Sequence, residues 1–267
     1  YGGDDENPSG ESTGRTGCRL GQFKPGKGYR VVDVVQNSPA WREESRIFPG
    51  EYIRSINRVK LDPEIPVAKL LNGTVNKEVD IEVVKPGKKD QSRTVTLKPI
   101  GSWRYHNLAY RYWIEKNRKM VNSLSDDRIG YLHIKSMGGR SLERFRNDLF
   151  GSLWKKEAVI IDVRGNPGGN IHNQLLRHLY GESFGTSKPR LGESRYHPDY
   201  VWRKPSVVLI DERSFSDAEV FPNGYQGLGI GKVIGMPTFG GVIGTGGFNL
   251  LNGAWFRIPW VGWYTAE

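Results

Sequence analysis

The sequence predicts two domains of different class, a small β-rich domain followed by an α/β domain. Three observations predict it. Short apolar runs alternate with turn residues over 29–97, at the spacing of strands. Past residue 129, strand-like and helix-like segments alternate. Two of these later segments, AVIIDV at 158–163 and SVVLI at 206–210, are nearly unbroken apolar runs, the pattern of strands covered on both faces of a parallel sheet. A length of 267 residues suits two ordinary domains, and 37% hydrophobic residues supply a core for each.

The opening decapeptide, YGGDDENPSG, is dense in turn formers and reads as a loop. The expected boundaries are a loop over 1–16, the β-rich domain over 17–100 and the α/β domain over 101–267. Strands are expected at 29–35, 52–56, 79–84 and 93–97. The segment PEIPVAKLL at 63–71 has a proline start followed by helix formers, which adds a short helix to a small barrel that closes near Pro99. Residues 105–123 place Leu108, Tyr112, Trp113 and Val121 among Arg and Lys, an amphipathic helix suited to joining the domains. Strands at 129–134, 158–163, 206–210 and 232–235 then alternate with helices at 142–154, 171–180 and 217–227.

The formal charge of +10 comes from 39 Lys and Arg against 29 Asp and Glu. The cations are interspersed with acidic and apolar residues, with no basic stripe or arm, so they read as a solvated surface and no nucleic-acid partner is expected. Cys18, the only cysteine, excludes an intrachain disulfide and a multi-cysteine zinc site. No metal or cofactor is expected. No apolar run reaches about 18 residues, so no membrane-spanning segment is expected. The chain starts on Tyr1 instead of Met and stops at Glu267 just after the aromatic run WVGWY, and it is expected to be a fragment.

Chemistry is expected in the second domain. The strand at 158–163 runs into RGNPGGN and then a helix, an arrangement that presents unpaired N–H groups to an anion. The turn lacks the Gly-Lys-Ser/Thr of a phosphate loop and the spaced glycines of a dinucleotide site, which leaves the oxyanion of acyl transfer as the alternative anion. A second junction, from SVVLI through DER to SFSDAEVF, sets Ser216 at a helix start. A Ser-x-x-Glu capping box with Glu219 is a sufficient reason for a serine there. The two junctions occur together, however, and GMPTFGGVIG follows at 235–244, so Ser216 reads as a nucleophile.

In the first domain, YRVVDVV at 29–35 precedes NSPA, then IFPGEYI at 47–53 and SIN at 55–57. This order resembles a PDZ domain of the bacterial protease-associated type. The resemblance implies a module that adds a peptide strand to a sheet edge and captures a terminal carboxylate, with Leu20, Gly21 and Phe23 in the carboxylate loop and Gln22 interrupting its pattern. The other reading is a PDZ shape that only packs against its neighbour.

The segments DVRGNPGGN, ERSFSDAEVF and IGMPTFGGVIGT, in this order, resemble the C-terminal-processing peptidase superfamily and most closely its tricorn protease branch. RYWIEKNR at 111–118 and IGYLHI at 129–134 extend the likeness, which runs from about Tyr29 to Pro259. The resemblance implies a crotonase-like α/β catalytic domain, truncated at its C-terminus, and a serine peptidase acting on peptides. It puts the nucleophile on Ser216 and the oxyanion donors on the N–H groups of Asp217 and Gly169. Ser187 falls where the family has an aspartate that selects the side chain before the cut, a departure that leaves the side-chain preference open. A homo-oligomer, a hexamer, and a cytoplasmic location are implied too, with export left open.

Of His106, His133, His172, His178 and His197, none matches the family's catalytic histidine, which by resemblance precedes Tyr1; its distal glutamate would follow Glu267. His133 reads as a packed strand residue, and His172 and His178 as helix-face residues. The fragment alone is therefore expected to be inactive. The alternative function is a non-catalytic PDZ peptide-binding scaffold.

Overall fold

The computed structural model describes residues 12–87 and 90–265. It divides between Glu115 and Lys116 into two compact units. Most of the loop expected over 1–16 lies outside the described residues.

The first unit holds β1 (Cys18–Lys24), β2 (Gly28–Val34), β3 (Tyr52–Ile56), β4 (Val59–Lys60), α1 (Val67–Leu70), β5 (Val79–Lys85) and β6 (Gln91–Leu97). These six strands form one antiparallel sheet in the order β1-β2-β3-β5-β6, with β4 beside β3. Alternate residues of β5, Val79, Ile81 and Val83, are buried with Val31, Ile53, Ile56 and Val95, so the period-two pattern of the sequence becomes the core face. Arg15 and Ile100 exchange two backbone hydrogen bonds, at 2.8 and 3.0 Å, and draw the residues before β1 to those after β6.

The helix expected over 63–71 shrinks to the four residues of α1. Pro66 disfavours helical backbone at Ile65, and the chain turns again at Gly73, φ +68°. Residues 19–23, expected as a loop, lie in strand β1. Leu20 pairs with Val31 and Phe23 with Tyr29, and the register slips between them, where Gly21 and Gln22 sit. That bulge breaks the alternation by which the strand would have been read.

A half-buried ion pair ties this unit together. Arg93 donates to both Glu51 carboxylate oxygens, at 2.5 and 2.9 Å, and the Phe48 N–H adds a third bond at 2.9 Å. Burial opposes ionisation of Glu51, yet Arg93 and the Phe48 N–H hold its carboxyl below the ordinary 4.5. A depressed folded-state pKa contributes stability above the unfolded value and loses it as pH falls through the folded one. Urea midpoints measured from pH ~7 to pH ~3 are therefore expected to drop below about pH 4.5, and Glu51→Gln is expected to flatten that part of the curve.

Helix α2 (Ser102–Leu124) contains the division between units, which the sequence set at 100/101. The second unit continues with β7 (Ile129–His133), α3 (Gly139–Asn147), β8 (Ala158–Asp162), α4 (His172–Leu179), β9 (Gly185–Ser187) and β10 (Arg195–His197). After these come β11 (Ser206–Ile210), α5 (Asp217–Gly227), β12 (Lys232–Gly235), β13 (Gly244–Asn249) and β14 (Trp255–Val261). The helix expected over 142–154 starts and ends earlier, as α3, and passes into a π-helical turn at Asp148–Ser152.

Four parallel strands form the central sheet in the order β12-β11-β8-β7. Val159, Ile161 and Val208 are buried against Phe145, Leu149, Leu175, Phe221 and Tyr225 of the helices, as the apolar runs imply. The neighbours β8 and β11 both lead into helices at their carboxyl ends. Parallel pairing therefore delivers the two junctions singled out in the sequence to one edge of the sheet.

Candidate active site

The junction after β8 is built on Asn166, which is fully buried. Its side-chain N–H donates to the Ile134 carbonyl at 2.8 Å, its side-chain oxygen accepts the Gly168 N–H at 2.9 Å, and its carbonyl accepts the Phe215 N–H at 2.9 Å. Gly168 and Gly169 take φ of +91° and +148°. A Cβ on Gly168 would lie 2.8 Å from Ser216 Cβ and 3.1 Å from the Asp217 nitrogen; one on Gly169 would lie 1.9 Å from the Met137 carbonyl oxygen. Both the backbone angle and the close approach demand glycine.

At the junction after β11, the Asp211 carboxylate accepts the Gly165 N–H at 2.7 Å and is gripped by Arg213. Burial works against its ionisation, but the Gly165 N–H and Arg213 keep its carboxyl below the ordinary 3.8. Ser214 donates to the Val163 carbonyl at 2.9 Å, a further bond to the strand-to-turn segment after β8. The next turn sets Ser216 at φ +56°, ψ −116°, a region non-glycine residues avoid, at a cost of order 1–3 kcal/mol. A sharp strand-to-helix turn of this kind projects a side chain from the start of a helix, the usual setting of a nucleophilic serine in α/β hydrolases.

The carboxylate half of the capping box read from the sequence is formed, and that carboxylate does more than cap. Glu219, buried on α5, accepts the Ser216 N–H at 2.9 Å, the Gly240 N–H at 2.6 Å and the Gly241 N–H at 3.0 Å. It thus clasps the Gly-Gly loop that follows β12 to the Ser216 turn. Phe215 and Phe239 pack edge to face across the same loop, centroids 4.9 Å apart.

Two backbone N–H groups are left over. Among the described residues, neither Gly169 N–H nor Asp217 N–H donates to an acceptor in the protein. Asp217 opens α5, where the helix dipole adds positive potential. Ser216 is half-buried between these donors' segments. A serine flanked by unpaired N–H groups from two rigid turns can stabilise negative charge developing on an attacked carbonyl. The Cys18 thiol, pushed up to about 12 chiefly by burial, stays protonated at neutral pH.

The family model described as Peptidase family S41 matches residues 128–267, which contain both junctions. The chain belongs to peptidase family S41. Among relatives of this S41 chain, the tricorn protease of Thermoplasma volcanium is 30% identical over 241 residues, 86% of this chain and 22% of the relative. The tricorn protease homolog of Saccharolobus solfataricus is 31% identical over 245 residues, 90% of this chain and 22% of that protein. A crystal structure of the tricorn protease superposes with a TM-score of 0.67 at 25% identity, covering 92% of this chain and 24% of that one. The chain thus spans 22% of the length of these two relatives.

Ser187 lies on β9, which follows α4 in the chain. Its hydroxyl lies 2.9 Å from His197 Nε2, in the wall of an open cavity of about 1020 Å³ with Trp154, Arg195, Tyr196 and Tyr200. Leu20, Gly21 and Phe23 lie on β1, and of these only Leu20 reaches the cavity of about 170 Å³ in the first unit. That cavity is lined by Thr13 to Cys18, Leu20, Val67, Ala68, Leu71 and Tyr105.

His133 is packed, as read. Its Nε2 lies 2.9 Å from the Arg164 carbonyl, and burial lowers its pKa below the ordinary 6.5. His178 Nδ1 lies 2.9 Å from the Tyr200 carbonyl. His172, read as a helix-face residue, instead meets the buried Asp217 side chain through Nδ1. Sequence reasoning missed this pair, since nothing local relates residues in different junctions. Glu219's grip on Gly240 and Gly241 was missed for the same reason, although the capping box singled Glu219 out. Among the described residues no helix is long and apolar enough to cross a membrane, and no group of three His, Cys, Asp or Glu could hold a metal.

Proposed function

We propose that the protein is a serine peptidase that cleaves peptides through an acyl-enzyme on Ser216. One observation carries the reading: Ser216 is held at φ +56° at the start of α5, beside a glycine turn, with the Gly169 and Asp217 N–H groups lacking acceptors. In the first half-reaction Ser216 Oγ bonds to the scissile carbonyl carbon and passes its proton to a base. The carbonyl oxygen takes the negative charge and accepts from the two N–H groups. The tetrahedral species then expels the amine, which leaves with that proton, and water hydrolyses the ester by the reverse steps. The base is the family's catalytic histidine, which matches no segment of this chain.

The finer assignments belong to the same reading. The first unit, about 17–100, is a PDZ-type module; the position of β1 at the edge of the sheet, among the described residues, and the cavity beside α1 suit an added peptide strand. Residues from about 101 onward form the catalytic domain. Ser187 is the position that meets the substrate side chain before the cut, in a homo-oligomer. Treating the full-length protein with a fluorophosphonate and mapping the adduct by peptide mass is expected to find it on Ser216. An adduct on another residue, with Ser216 unmodified, overturns the assignment.

A further inference from the structure

Asp217 has two ends with different duties. Its backbone N–H is one of the unpaired donors, while its side chain, 4% exposed, turns away and crosses to the start of α4. There Oδ2 accepts the Ile171 N–H at 2.7 Å and the His172 N–H at 3.1 Å, and Oδ1 meets His172 Nδ1. Gly169, the other donor, lies three residues before His172 in the same turn. The two donors are therefore joined by a short closed path through the Asp217 carboxylate. Among the described residues no Lys or Arg pairs with Asp217, and His172 is the one side chain that meets its carboxylate. The ring is itself held: Trp263 packs against it edge to face, centroids 5.1 Å apart and planes at 87°.

We propose that His172 is a positioning residue for the oxyanion donors: by donating from Nδ1 to Asp217, it fixes the separation of the Asp217 and Gly169 N–H groups, with Trp263 steadying the ring. This rests on the serine-peptidase reading above. An oxyanion site works only if its donors stand where charge develops, and a displacement of about 1 Å is costly. His172 touches neither substrate nor Ser216 in this role and acts through Asp217 alone.

The test uses the full-length protein and a fluorogenic peptide that it cleaves. His172→Leu keeps bulk but removes the donor; kcat is expected to fall about 10- to 100-fold with KM little changed. His172→Asn, whose amide N–H can reach from near the Nδ1 position, is expected to recover most of that loss. A Leu variant with parental kcat, or an Asn variant as impaired as Leu, overturns the proposal. A readout independent of activity and of folding of the variants is the ¹⁵N spectrum of the parent's histidine rings: a proton on His172 Nδ1 is expected, and a bare Nδ1 overturns the proposal. Ser216→Ala run in parallel separates the two readings. If that variant retains turnover, the serine reading and the proposal fall together; if it is inactive while His172→Leu is unimpaired, only the positioning role falls.

Discussion

Replacing Ser216 by alanine in the full-length protein is expected to abolish peptide cleavage, with a loss in kcat on the order of 10⁶-fold, as for other nucleophiles that act as part of a unit. The change should be nearly silent structurally. Alanine inherits the same φ of +56°, and its backbone N–H still reaches the Glu219 carboxylate, so the turn keeps its principal hydrogen bond. Circular dichroism and the thermal midpoint of the variant, compared with the parent, check that the fold survives. Residual cleavage should then come only from the donors acting on water. Turnover at the parental rate in a folded Ser216→Ala variant removes Ser216 as nucleophile.

Gly169→Ala is expected to have the next largest effect, and by a different route. At φ +148° a side chain is strained, and its Cβ would lie 1.9 Å from the Met137 carbonyl oxygen, which accepts the Asn170 N–H at 2.8 Å. The turn has to move, and the Gly169 N–H moves with it. Loss of one oxyanion donor corresponds to about 10²- to 10³-fold in kcat, or roughly 2.7–4 kcal/mol of barrier. A further destabilisation of about 1–3 kcal/mol is expected from the forced backbone, visible in urea melts. The signature is a lowered kcat with KM nearly intact, because the donor acts in the transition state and not on the bound peptide. Parental kcat in this variant would show that Gly169 N–H does not hold the oxyanion.

In the proposed reaction Ser216 supplies an atom, whereas Gly169 supplies a place for one. The same distinction runs through the network around them: Asn166, Asp211, Glu219 and Asp217 spend their side chains on backbone N–H groups of neighbouring segments. These buried polar groups orient four loops at one sheet edge. Removing the Asp217 carboxylate would leave the buried Ile171 N–H without its partner, at about 1–3 kcal/mol.

Much of the fold was legible in the sequence wherever local signals agree. The spans at 52–56, 206–210, 217–227 and 232–235 match β3, β11, α5 and β12 end for end. Each is bounded by turn residues and carries one period throughout. Strand β1 was read as a loop because the bulge at Gly21 and Gln22 breaks its period. The hairpins β9–β10 and β13–β14 went unforeseen: the first has strands of three residues, and the second is largely exposed, with three glycines in β13. Neither offers a buried face for a pattern to record.

By itself the sequence determined the two classes of domain, the order of the junctions, and the residue types at Gly168, Gly169, Ser216 and Glu219, because glycine freedom, caps and apolar periods are local properties of the chain. Only the tertiary structure decided that β8 and β11 lie side by side, that Ser216 is held in a strained conformation, and that His172 meets Asp217 across 45 residues of sequence. Such contacts depend on parallel pairing and crossover helices, whose partners no short window of sequence contains.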